Sequence, residues 1–159
     1  MYNVFKLNLI FMTTNEVLAK YNFITKVPFK SGSNELSKDL KIKIMSMRIE
    51  YGKVRKQFDE DLQEFIKGIT PEELQTLQSK EEKTEEDNKK INEMIDKMNG
   101  EYQDYIKGRG EKEVDLESKS FSEDEFNEIV GVCSFDEVDI NNTKVSSADF
   151  LEILYSLFV

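Results

Sequence analysis

The chain has 159 residues, 38% apolar and 34% charged, which suits one soluble domain with enough length to bury a core. It contains no histidine and one cysteine, Cys133. Ser-His and Cys-His nucleophile pairs, internal disulfides and most zinc sites are therefore excluded, and a reducing compartment fits. Net charge is −10, divided unevenly: residues 1–57 hold eleven Lys/Arg against four Asp/Glu, so a basic front precedes an acidic back.

The opening MYNVFKLNLIFM alternates, with Phe5, Leu7, Leu9 and Phe11 on one face and Lys6 and Asn8 on the other. That is the pattern of a half-buried strand with an edge open to pairing at Phe5, Leu7 and Leu9. It lacks the basic region and cleavage site of a secretion signal, and no apolar run is long enough to span a membrane. Thr13-Thr14-Asn15-Glu16 is a capping-box pattern that opens a short helix, and Pro28 forbids its continuation.

After the loop VPFKSGS, with Ser33 or Asn34 as N-cap, a long helix is predicted from Glu35. Leu36, Leu40, Ile44, Met47, Tyr51, Val54, Phe58, Leu62 and Phe65 step by threes and fours, one apolar stripe. About 32 residues at 1.5 Å each span roughly 48 Å. Gly68 ends it, and Thr70-Pro71-Glu72-Glu73 starts another helix. A short gap predicts an antiparallel hairpin over 31–107, in which Ile91, Met94, Ile95, Met98, Tyr102, Tyr105 and Ile106 climb back toward Leu36. Gln78–Lys90 carries no apolar residue, so helix and loop both remain open there. This stretch would lie opposite Tyr51, Val54 and Phe58, leaving them to be covered by the first helix, the C-terminal elements or another protein.

Past Gly108 and Gly110 the chain repeats itself. EVDLESKSFSEDEFNEIV begins at Glu113 and EVDINNTKVSSADFLEIL at Glu137, with seven of eighteen positions identical and no gap. Each copy reads as strand, turn and helix, the helices starting at Ser122-x-x-Glu125 and Ser146-x-x-Asp149. The resulting fold class is mostly helical α+β: a long helical hairpin with a small sheet of the N-terminal strand and two C-terminal strand–helix units, over residues 1–159 as one domain.

No motif carries catalysis, and no catalytic residue, metal ligand, cofactor or small-molecule ligand is assigned. Asp139, Asn141 and Thr143 resemble the start of a calcium loop, but Lys144 stands where glycine is needed and Phe150 where the bidentate Glu belongs. The acidic runs Asp59–Asp61 and Glu81–Asp87 read as solvated faces, and Cys133 as a buried thiol. Lys41, Arg48 and Arg55, seven apart and flanked by Lys38, Lys53 and Lys56, form a basic stripe. It can dock an acidic partner together with Tyr51, Val54 and Phe58, or it can pair within the hairpin with Glu81–Asp87. Net acidity and the lack of interleaved aromatics speak against nucleic acid.

The order of elements adds a resemblance. NVFKLNLIF, the capped helix TTNEVLAKYNFITKV, the loop PFKSGS, the charged helix from ELSKDL to EFIKG and the terminal EVDINNTKVSSADFLEILYSLF follow one another. In this outline the chain resembles small, function-unassigned proteins encoded in the structural gene modules of tailed bacteriophages, of the crAss-like type. The acidic insertion at Gln78–Lys90 and the second strand–helix copy depart from it. The resemblance implies a virion component, assembled in the host bacterial cytoplasm and docked on capsid, portal or neck proteins, with no membrane partner. It transfers no active-site residue. The competing expectation is an intracellular acidic adaptor, assembly chaperone or inhibitor that the particle does not retain, with Glu81–Asp87 imitating nucleic acid.

Overall fold

A computed structural model describes residues 11–159; the predicted strand edge at Phe5, Leu7 and Leu9 lies outside the described residues. In chain order the elements are β1 (Phe11–Thr13), α1 (Thr14–Ile24), β2 (Lys30–Ser31), β3 (Asn34–Glu35), α2 (Lys38–Ile69), α3 (Glu72–Gln78) and α4 (Glu85–Gly110). They continue with β4 (Glu113–Glu117), α5 (Glu123–Val132), β5 (Glu137–Ile140), β6 (Thr143–Ser146) and α6 (Ser147–Phe158). The protein is mostly helical α+β. It divides into two compact units: one takes the chain up to Arg55 together with Glu113–Val159, the other Lys56–Lys112.

Local chemistry sets most boundaries. Thr13 accepts a bond from the Glu16 N–H while the Glu16 carboxylate accepts from the Thr13 N–H, closing the predicted capping box at α1. The long helix starts later than expected. Asn34 and Glu35 are spent on β3, paired with β2 across a tight turn that Gly32 enters at φ +59°, a conformation glycine adopts without strain. Ser37 then takes the capping role, its Oγ accepting from the Leu40 N–H at 3.4 Å.

In the first unit, the inward stripe of α2 enters the core as predicted: Leu40, Ile44, Met47 and Tyr51 are buried beside Val17 and Ile24 of α1 and Phe150, Leu154 and Phe158 of α6. Phe150 stacks on Phe23 and meets Phe135 edge-on, with centroids 5.4 and 5.3 Å away. α5 is held to the β2–β3 hairpin by polar contacts, Asn34 Nδ2 to the Gly131 carbonyl at 2.9 Å and the Ser37 N–H to Glu128 at 2.7 Å.

The duplicated units do not share one sheet. β4 pairs antiparallel with β1, whereas β5 pairs with β6 in a hairpin of its own. The reason is two residues long. Asn141 and Asn142 adopt φ +50° and +62°, which asparagine tolerates, and the Asn142 N–H bonds to Asp139 Oδ1 at 2.9 Å. The first copy has Glu117 and Ser118 there, cannot turn back the same way, and pairs with the N-terminal strand instead. The two helices then bury different faces. Ile129 is buried and Val130 exposed in α5, but Leu154 is buried and Ile153 exposed in α6, although Ile129 aligns with Ile153.

In the second unit, the C-terminal part of α2 and α4 run antiparallel. Phe65 stacks on Tyr105 at 4.0 Å and Asp61 binds Arg109 at 3.1 Å, a consistent register. α4 therefore ends near Asp61 and does not climb to Leu36. Its earlier residues Met94 and Met98 face Ile69 and Pro71 at the helix turn. Leu74 and Leu77 of α3 are buried, while the α4 apolar residues from Ile91 to Ile106 are only half-buried. The run Gln78–Lys90 resolves into the end of α3, a break, and the start of α4, where Thr84 and Asp87 form a second capping box.

Candidate docking surface

The predicted docking residues are spent on the protein's own fold. Tyr51 is 0% exposed and sits in the first unit's core with Val54 packed against it, and Phe58 is buried too. α1 supplies part of the cover, since a Cβ on Gly52 would lie 3.3 Å from the Tyr21 ring. The Tyr51 hydroxyl is buried, and burial raises its pKa. Tyr51, Val54 and Phe58 thus form no outward apolar face.

Two residues of the basic stripe, Arg48 and Arg55, are likewise turned to contacts within the first unit. Arg48 donates from Nε to the Ile24 carbonyl at 3.0 Å and from its terminal nitrogen to the Val27 carbonyl, and lies over the Phe29 ring at 4.7 Å. Lys41 pairs with Glu35, and Arg55 Nη1 reaches Asn22 Oδ1 at 3.4 Å. Within the acidic run foreseen as a partner, Asp87 binds Lys80 at 2.8 Å. An α-helix that ends in the core leaves carbonyls without intrahelical partners, and two basic residues on the crossing helix, Arg48 and Arg55, satisfy or flank that end.

A different surface emerges on α2. Ile42, Met45 and Ile49 are 55%, 49% and 58% exposed. At about 100° per residue they form one stripe on the side of the helix opposite Ile44, Met47 and Tyr51. Ser46, Glu50 and Lys53 join them around a shallow groove of about 400 Å³. One long side of the stripe is closed by ion pairs, Lys119 to Glu50 at 3.0 Å and Lys43 to Glu125 at 2.7 Å, with Lys43 also 5.3 Å from the Phe121 ring. Lys38 and Lys53, at the two ends, are exposed and close no ion pair among the described residues.

A single stripe through α2 does not account for this face. The signal was present: seven of the twelve residues from Leu40 to Tyr51 are apolar, more than one face can hold. Elsewhere, burial pushes the Cys133 thiol up to about 11, and no group of three metal-ligating side chains occurs among the described residues. Asn141, which the sequence sets against a calcium loop, forms the tight β5–β6 turn with Asn142. No described helix is long and apolar enough to cross a membrane.

No family model matches the sequence, and no characterised protein or solved structure is significantly similar to it. Function has to be read from the chain's own surface.

Proposed function

We propose that this chain is a non-enzymatic interaction protein that docks on a partner protein through the outward face of α2. The observation that carries this reading is the exposed row Ile42, Met45 and Ile49, which lies opposite the buried Ile44, Met47 and Tyr51 on the same helix. Scattered exposed apolar residues need no explanation, but an aligned row of three beside a groove does. Covering the exposed part of three such side chains is worth roughly 3 kcal/mol. Ion pairs along one edge hold the helix in place and keep that edge polar, as at the rim of an interface.

The order of elements supports placing the partner in a tailed-phage particle, at the capsid, portal or neck. The alternative is an acidic adaptor or assembly chaperone that leaves before the particle is complete. Quantitative mass spectrometry of density-purified particles separates the two. A fixed ratio to the major shell protein supports the particle component, and absence from particles with abundance in the infected cell leaves only the adaptor. Ile49→Asp tests the docking face in the same experiment: it should keep the native circular dichroism and melting temperature while lowering incorporation, or adaptor complex formation, at least about tenfold. Undiminished incorporation would remove α2 from the interface.

A further inference from the structure

We infer that the occupant of the α2 face is an amphipathic helix whose apolar anchors are bracketed by carboxylates; this rests on the docking reading above. Three features of the surface lead there. The first is charge. Lys38 and Lys53 stand at either end of the row Ile42, Met45 and Ile49 and close no ion pair among the described residues. They are about 22 Å apart along the helix, four turns. They are local cations on an otherwise acidic unit, since Glu113–Val159 of the same unit is rich in carboxylates. A partner with carboxylates four turns apart would meet both cations as their water is displaced.

The second feature excludes a second copy in the simplest arrangement. Two α2 helices packed face to face about a two-fold axis near Met45 would set Lys38 of each on Lys53 of the other. Like charges would then oppose each other at both ends of a small apolar contact, which is a device against self-association. The third feature concerns backbone. The surface is a helix flank, and its polar edge is already occupied by Lys119, Glu50 and Ser46. It offers no free N–H or C=O row to an extended segment. The incoming segment must arrive with its own backbone bonds closed, which a helix does, presenting anchors at i, i+3 or i+4, and i+7.

The test uses the full chain and three synthetic helical peptides of roughly 18 residues. All share the same leucine row and differ only at their ends, which carry Glu, Gln or Lys. Fluorescence anisotropy should show the Glu-ended peptide binding at least about tenfold more tightly than the Lys-ended one, with the gap shrinking in salt. Lys38→Glu combined with Lys53→Glu should invert that preference, and Ile49→Asp should abolish binding of all three, with circular dichroism unchanged. Equal binding of the three peptides, still lost in Ile49→Asp, would overturn the acidic occupant and leave the docking face standing. Binding of none would overturn both. Sedimentation showing a dimer that Ile49→Asp dissociates would name a second copy as the occupant instead. Retention on vesicles containing anionic lipid, lost in the same variant, would overturn the inference in favour of a membrane surface.

Discussion

Arg48 Nε lies 3.0 Å from the carbonyl oxygen of Ile24, so a side chain of α2 closes the C-terminal end of α1. The last carbonyls of a buried helix need donors, and a guanidinium offers several in a fixed fork. Burial lowers the Arg48 pKa, but the group stays charged at any ordinary pH. Arg48→Gln should cost about 2–3 kcal/mol in chemical denaturation, because two bonds from a charged donor are lost and carbonyls are left unpaired. Arg48→Lys should recover less than half of that, since an ammonium cannot bond both carbonyls and lie flat on Phe29. Full recovery by lysine would mean that only the charge matters.

The Asn141-Asn142 turn is the second place where one residue type decides a local structure. Asn142→Gly should stabilise the β5–β6 hairpin by about 0.5–1 kcal/mol, since φ +62° costs glycine nothing. Asn142→Val should cost about 1–2 kcal/mol at the same backbone geometry. Both are read as shifts in denaturation midpoint at constant slope. Equal effects of the two would show that the turn is not under conformational demand.

The start of α4 should be acid-sensitive. The Lys80 ammonium and the Thr84 N–H hold the Asp87 carboxyl down at about 2, below its ordinary 3.8. A carboxylate depressed in the folded state contributes stability that is present above its unfolded pKa and lost as pH falls through its folded one. The first turn of α4 should therefore fray as pH drops from about 4 to 2, visible as faster amide exchange at residues 85–90. Asp87→Asn should show that exchange at neutral pH and no acid step. A variant that still shows the step would assign it to other carboxylates.

Cys133 should be chemically silent in the native protein. Burial holds its thiol at about 11, so roughly one molecule in a thousand carries the thiolate at pH 8. Modification by a disulfide reagent should be slow in buffer and complete within seconds once denaturant unfolds the first unit. Rapid native-state labelling would mean that α5 opens locally, since Cys133 directly follows it.

Much of the fold was legible because its signals are local. The capping boxes at Thr13 and Ser122, the stop after Gly68, and the inward stripe from Leu36 to Phe58 are each written within a few residues and need no distant partner. The repeat was equally legible as a repeat, but not its divergence. Whether a strand finds its neighbour along the chain or at the far end depends on Asn141-Asn142 against Glu117-Ser118, and then on which partner is within reach.

What the amino-acid order determined by itself was which stretches become helix or strand and that α2 is apolar on more than one face, because 3.6-residue periodicity and caps act over single turns. Only the tertiary structure decided which of two apolar faces of α2 is buried, because α1, α5 and α6 cross one side and leave the other. It also decided that Arg48 and Arg55 serve the end of α1, which arrives beside them, while Lys41 pairs at the surface with Glu35. The boundary between the two compact units, near Arg55, falls inside the continuous helix α2, where no break in the helix announces it. It arises where the chain that packs on the helix changes, and that is a property of contacts between residues far apart in the chain.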